Sequence, residues 1–292
     1  MSRLIQRFDP WKSPLCTCPP KYSLNPYTGC VFSCRYCYIT SYIPNGFTPR
    51  PKKKIMERLE KDLDSLEDRY PIAVAFSTDP YQPLETKYQF TREILKILRE
   101  REVPTLLVTK SPLILRDIDL LLEIDVVVSM TITTLHKYKA RKIEGNAPNP
   151  MARLKALEKL SRDIPTVVRI DPIIPGITDD IEDLRHIITS VSTAGAKHIV
   201  SSIYKAKPDN LKRVINAYPE FRHIYRRLYN GPRISGYIYV NPTYSKNVLS
   251  MVRREALSHG LTFNTCRDGH EYLDTRGTYC DGSHLLRNRV EW

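Results

Sequence analysis

Three cysteines, Cys30, Cys34 and Cys37, stand in a C-x-x-x-C-x-x-C array within Asn25-Pro26-Tyr27-Thr28-Gly29-Cys30-Val31-Phe32-Ser33-Cys34-Arg35-Tyr36-Cys37-Tyr38. Thiolates so placed have three readings. A structural zinc needs a fourth ligand, and a three-cysteine zinc site without histidine is unusual. Buried packing as small hydrophobes is possible for any cysteine, but this segment is polar and turn-rich, with aromatics beside the sulfurs. Three thiolates can also hold a [4Fe–4S] cubane and leave its fourth iron open to a ligand that is not protein. The spacing, and a position just after a first strand, favour the cubane.

Four more cysteines lie outside this loop: Cys16 and Cys18 before it, Cys266 and Cys280 near the other end. In a cytosolic chain, clustered cysteines bind metal more often than they form disulfides. If the two ends of the chain meet, four thiolates make a closed site for a second iron–sulfur cluster or a structural zinc. Disulfides stay open as an alternative, because the frequent charged residues and prolines would suit a thermophile. The seven histidines show no ligand-like spacing; His284, after Cys280-Asp281-Gly282-Ser283, is the one to follow.

These residues need a scaffold, and the hydrophobic pattern supplies one. Short apolar runs at 22–25, 72–76, 105–109, 125–130, 166–170 and 198–203 alternate with amphipathic stretches around 55–68, 91–101, 115–122, 149–161 and 179–194. That alternation is the mark of a buried parallel sheet with crossover helices. Six βα units fall short of the eight that close a barrel, so the expected fold is α/β, a partial (β/α)6 TIM-type barrel. Polar clusters follow the strands: Ser77-Thr78-Asp79, Thr109-Lys110-Ser111, Thr131 to Thr134, Asp171-Pro172 and Ser201-Ser202. Parallel βα folds build their sites at the C-terminal strand ends, so these clusters and the cysteine loop should face one cavity. Beyond about 205 the alternation weakens. Helices are expected over 209–229 and 243–259, a strand over 236–240, and an irregular tail beyond. The expected organisation is an N-terminal cysteine-bearing extension (1–20), the barrel core (21–205) and a C-terminal α+β extension packing on it (206–292).

The 292-residue chain carries a net charge of +13, which points to polyanions and makes nucleic acid the leading partner class. The Lys52-Lys53-Lys54 run is either a polyanion contact or the solvated start of a helix. No run of about 18 apolar residues exists, which argues against a membrane helix. The first ten residues lack an apolar h-region, so a cytoplasmic location is expected.

The cysteine loop on such a barrel resembles the radical S-adenosylmethionine (SAM) superfamily. The resemblance narrows to its spore photoproduct lyase-like branch, often labelled DNA repair photolyase. It rests on Leu24 to Cys30, Ser77-Thr78-Asp79-Pro80-Tyr81-Gln82-Pro83-Leu84-Glu85, Val108-Thr109-Lys110-Ser111, Arg169-Ile170-Asp171-Pro172-Ile173-Ile174-Pro175-Gly176 and Cys280-Asp281-Gly282-Ser283-His284. It implies that Cys30, Cys34 and Cys37 ligate the cluster, whose open iron chelates SAM. Reductive cleavage would then yield a 5′-deoxyadenosyl radical that abstracts a hydrogen atom from a substrate. It further implies that Tyr36 packs near the adenine and that Lys110 pairs with the SAM carboxylate. Thr78, with Ser129 or Thr131, lies near the same ligand, and Asp79 sits in the turn beside it. Tyr38 matches a tyrosine that relays a hydrogen atom, and Glu144 and Arg153 orient the ribose or cap the next helix. A ferredoxin or flavodoxin is the expected electron donor.

One position departs from the branch. The lyases carry a hydrogen-donating cysteine just before the Ser77-Thr78-Asp79 turn, and Phe76 stands there in this chain. Thymine-dimer repair by that route is not expected, and RNA is as good a substrate class as DNA. Two other readings compete: the same chemistry on a protein, peptide or small molecule, and a non-enzymatic iron–sulfur carrier or zinc module.

Overall fold

The computed structural model describes residues 3–8 and 13–288. Residues 1, 2 and 9–12 of the expected N-terminal extension, and 289–292 at the other end, lie outside the described residues. Eight strands form one sheet: β1 (Gln6–Arg7), β2 (Tyr22–Leu24), β3 (Ile72–Val74), β4 (Thr105–Thr109), β5 (Val126–Thr131), β6 (Thr166–Ile173), β7 (His198–Ile203) and β8 (Thr262–Thr265). They are ordered in space as in the chain, which is the plain right-handed winding of βα units. Every pairing from β2 to β8 is parallel; β1 runs antiparallel along β2. The result is a partial TIM-type barrel, open between β1–β2 and β8.

All six expected strands are present. Their Val, Ile and Leu runs are buried on both faces, as a sheet with helices outside and side chains inside requires. The helices behave likewise. Phe90–Glu100 buries Thr91, Ile94, Leu95 and Leu98, one stripe at helical spacing. Replacing such a leucine by alanine costs about 2–5 kcal/mol. The helix Pro150–Leu160 starts on Asn149, whose side chain accepts from Met151 N at 2.9 Å.

The region beyond 205 differs from the expectation. Its helical stretch breaks at Tyr218-Pro219 into Pro208–Ala217 and Arg222–Leu228, because proline cannot continue the hydrogen-bond ladder. The strand expected over 236–240 shrinks to Tyr237–Ile238, in a two-residue hairpin. The helix Pro242–Ser258 is as expected, but the chain beyond it is more than an irregular tail. Thr262–Thr265 adds a seventh parallel strand, β8, on β7.

The rest of the tail enters the barrel. Ala73, Leu106, Val127, Val167 and Val200, one from each of five neighbouring strands, pack inside against Cys280 and Leu286. Asp125, just before β5, accepts from Arg287 N and Asn288 N at 2.9 Å each, which ties the tail across the N-terminal strand ends. Gly282 sits at φ +82°, and a Cβ there would meet Val167 Cγ2 at 2.5 Å. Only glycine lets the plug approach the barrel wall so closely. Among the described residues, no helix is long and apolar enough to cross a membrane.

Candidate active site

The cysteine loop has almost no secondary structure of its own, so its backbone is held from outside. Gly29 turns it at φ +80°, where a Cβ would lie 2.4 Å from Thr48 O. Cys30 N donates to Gly46 O at 2.9 Å, and Arg35 N to Ile143 O at 2.7 Å. Gln82, completely buried, accepts from Val31 N at 3.0 Å and donates to Gly29 O at 3.1 Å. Asn146 Nδ2 donates to Val31 O at 3.0 Å. Arg213 donates to Cys37 O at 2.6 Å and to Arg35 O at 3.2 Å. None of these holders was singled out from sequence. Gln82 lies within the 77–85 segment that carries the resemblance, but its hold on the loop backbone is not marked there, and Asn146 and Arg213 are distant along the chain.

Cys30, Cys34 and Cys37 open onto a cavity of about 490 Å³, whose wall also includes Thr78, Asp79, Lys110 and Thr131. The strand-end clusters and the cysteine loop therefore do share one space. Desolvation pushes the Cys30 thiol up to about 12, with Asp79 adding to it. It also raises Cys34 and Cys37. Among the described residues, no three His, Cys, Asp or Glu side chains surround a single metal-ion position. A cubane does not ask for one, since each of its thiolates takes a separate iron.

Lys110 gives the clearest sign of a missing anion. Its ammonium lies 5.8 Å from the Tyr36 ring centre, and no hydrogen bond or ion pair claims it among the described residues. Burial opposes its charge, but nearby Cys34 and Glu144 outweigh that and hold its pKa above the ordinary lysine value. A buried cation facing a cavity fits a ligand carboxylate. Asp79 positions it. Its carboxylate accepts from Tyr81 N at 2.9 Å, Thr109 Oγ1 at 2.8 Å and Lys110 N at 2.7 Å. It thus ties the turn after β3 to the end of β4. Thr78 Oγ1 is 3.5 Å from Tyr27 O at the cavity wall. Thr131 reaches that wall, whereas Ser129 Oγ is buried in the sheet without a partner among the described residues.

Behind the loop, Tyr36 OH donates to Glu144 Oε1 at 2.6 Å and Thr133 Oγ1 to the same oxygen at 3.1 Å. Arg153 meets the other Glu144 oxygen at 2.6 Å, both side chains almost fully buried. Glu144 and Arg153 do not cap the following helix; Asn149 does. They anchor Tyr36 from behind instead. Tyr38 OH donates to Phe76 O at 2.9 Å, and its ring stacks on Tyr42 at 6.0 Å. Phe76 itself lines the cavity. Lys54 starts the helix Ile55–Asp64 and pairs with Glu57 at 3.2 Å, so the helix-start reading of the lysine run holds for that residue. His284 packs its ring against His198 at 4.8 Å.

The four outer cysteines do converge. Cys18 Sγ lies 3.2 Å from Cys280 Sγ. Cys16 hydrogen-bonds Cys18, and Cys266 hydrogen-bonds Cys280. All seven cysteines are free, and all four of this group line the same cavity as the loop. The hydrogen bond with Cys280, then Arg169, brings Cys266 down to about 6. Bonds from Cys16 and Cys280 likewise lower Cys18, while Cys16 and Cys280 are raised as the donors.

A model of the radical SAM superfamily matches residues 24–188, more than half of the chain. This chain belongs to the radical SAM superfamily. It is an enzyme, and its family implies a [4Fe–4S] cluster and SAM, for which the cysteine loop and Lys110 are suited. An uncharacterized protein of Methanocaldococcus jannaschii is 30% identical over 72% of this chain and 76% of its own. An uncharacterized protein of Mycobacterium tuberculosis is 27% identical over 77% and 71%. Among solved structures, a spore photoproduct lyase variant with bound AdoMet and dinucleoside spore photoproduct aligns with a TM-score of 0.68. The alignment covers 87% of this chain and 79% of that one at 13% identity, a likeness of fold. The architecture is therefore that of a radical SAM enzyme of spore photoproduct lyase-like fold.

Proposed function

We propose that this enzyme abstracts a hydrogen atom from a nucleic acid, either a DNA lesion or an RNA nucleotide. Cys30, Cys34 and Cys37 hold a [4Fe–4S] cluster, and Lys110 pairs with the SAM carboxylate. Tyr36 packs by the adenine, and Thr78 and Thr131, rather than the sheet-buried Ser129, reach the same ligand. Asp79 acts through Lys110, which it positions. When bound, the reduced cluster supplies the electron that cleaves SAM to a 5′-deoxyadenosyl radical. A ferredoxin or flavodoxin in the cytoplasm provides that electron. Tyr38 relays a hydrogen atom. Phe76 has no S–H to give, which argues against thymine-dimer repair with a hydrogen-donating cysteine at that position. The four outer cysteines hold a second metal centre, an iron–sulfur cluster or zinc.

The observation that carries the nucleic-acid reading is the composition of the cavity wall. Phe8, Tyr38, Tyr42, Phe47, Phe76 and Tyr237 line it beside Arg7 and Arg267, in a chain of net charge +13. Aromatic faces stack on bases of any sequence and cations track phosphates, which suits a single strand or an extruded nucleotide. Titration of binding against salt, with DNA and RNA oligonucleotides, tests this. The logarithm of affinity should fall linearly with that of salt, with a slope of roughly −0.7 to −0.9 per phosphate contact. A deuterated oligonucleotide that binds should pass deuterium into 5′-deoxyadenosine. No binding to either polymer at low salt, or label arriving only from a peptide or small molecule, would replace the reading.

A further inference from the structure

We propose that Cys16, Cys18, Cys266 and Cys280 hold a thiophilic metal centre that works as a clasp, closing the open barrel across its seam. The proposal rests on the second metal centre above and adds its place and purpose. The sheet ends at β1–β2 on one side and β8 on the other, with no ladder between them among the described residues. Such a seam lacks the backbone hydrogen bonds that hold neighbouring strands elsewhere.

The four cysteines sit on the parts that meet there. Cys16 and Cys18 belong to the segment entering β2, and Cys266 is the residue after β8. Cys280 lies on the tail that plugs the barrel. Cys18 Sγ lies 3.2 Å from Cys280 Sγ, and Cys16 and Cys266 line the same cavity wall. Just above them, Leu15 Cδ2 comes within 3.7 Å of where a Cβ on Gly269 would stand.

The surroundings are those of an anionic centre. Lys21, its side chain wholly buried, pairs with Asp281 at 2.6 Å, and its charge favours the Cys18 thiolate. Arg169 Nη1 lies 3.5 Å from Cys280 O, and Arg267 stands beside Cys266. Buried cations favour thiolates over thiols. Among the described residues no three of these side chains surround a single metal-ion position, which argues against one zinc and for a cluster whose thiolates each take a separate iron. Four thiolates around an oxidised [4Fe–4S] cluster leave a centre of charge about −2, matched to such a ring of cations. With four protein ligands the centre has no open position, so it holds structure and does not bind SAM.

Metal and sulfide analysis of the full chain, made anaerobically as the C30A/C34A/C37A variant, tests the proposal. That variant should retain about four irons with matching sulfide. Adding C18A and C280A should remove that metal. In the unmodified chain the total should be about eight irons. Stripping the second centre should speed tryptic cleavage after Arg276, in the tail, by at least about tenfold, as local opening becomes easier. A variant with no iron, an unmodified chain with only about four irons, or disulfides found by mass spectrometry among these cysteines would overturn the clasp. Retained metal with unchanged tail cleavage after stripping would overturn its closing role. Formation of 5′-deoxyadenosine by the unmodified chain is read in parallel. Its presence without the second metal sinks only the clasp, and its absence with both metals sinks only the radical reading.

Discussion

The cysteines of the 30–37 loop and the four outer cysteines line one cavity, yet their surroundings differ. In the loop no sulfur–sulfur hydrogen bond joins the three thiols among the described residues, and each is raised by burial. The cation beside them, Lys110, has no ion-pair partner among the described residues. In the outer group Cys18 and Cys280 touch at 3.2 Å, and Lys21 and Arg169 are already paired with Asp281 and Asp171. The first arrangement leaves a buried cation facing the cavity, suited to a cofactor's carboxylate. The second has its cations engaged within its own wall. An open site keeps a cation in reserve, and a closed one uses its cations on its own wall.

The largest effect should come from breaking the open side. Cys34→Ala should abolish 5′-deoxyadenosine formation, read by chromatography after reduction with SAM present. Next is the support behind the loop. Arg153→Ala leaves the Glu144 carboxylate buried and uncompensated, and should cost about 3–5 kcal/mol in anaerobic urea unfolding. A smaller loss is expected from Lys110→Ala. Removing a charge-assisted contact worth roughly 1.5–3 kcal/mol should raise the KM for SAM by about 10- to 100-fold. If Lys110→Ala left that KM unchanged, the reserve cation would not be for the carboxylate.

The smallest effect belongs to the outer side, where the cations are already engaged. Burial alone would raise Asp171, but Arg169, then Lys205 and the hydrogen bonds from Ser202 and Arg169, hold it at about 2. A carboxylate lowered on folding stabilises the protein above its unfolded value near 3.9. That stability is lost as pH falls from there through about 2. The loss should be about 2.5 kcal/mol, and Asp171→Asn should flatten the stability curve over that window. An unchanged curve in the variant would place the acid sensitivity elsewhere.

Local features were legible in the sequence and distant ones were not. The six barrel strands announced themselves because runs such as Val126-Val127-Val128 are buried on both faces. The seventh, Thr262–Thr265, has one apolar residue in four and borrows its burial from β7, so nothing marks it in isolation. The cysteine loop was legible because its ligands lie within eight residues. Its holders Gln82, Asn146 and Arg213 were not, because each is brought in by the fold from elsewhere. Glu144 and Arg153 drew notice through a resemblance to helix-capping or ribose-binding residues. Their actual contacts, with Tyr36 and with each other, depend on how the helix Lys137–Glu144 packs behind the loop. That helix was not expected either: Lys and Arg supply four of its eight residues and blur the apolar stripe. The convergence of the outer cysteines was conditional on the chain ends meeting. They meet because the tail threads into the barrel, which Gly282 permits and no periodicity advertises.

The most direct test is reductive cleavage of SAM by the full chain, loaded anaerobically with iron and sulfide and reduced. Formation of 5′-deoxyadenosine, lost in Cys34→Ala, is the expected result. A fully loaded, reduced cluster that binds SAM and yields no 5′-deoxyadenosine would contradict it.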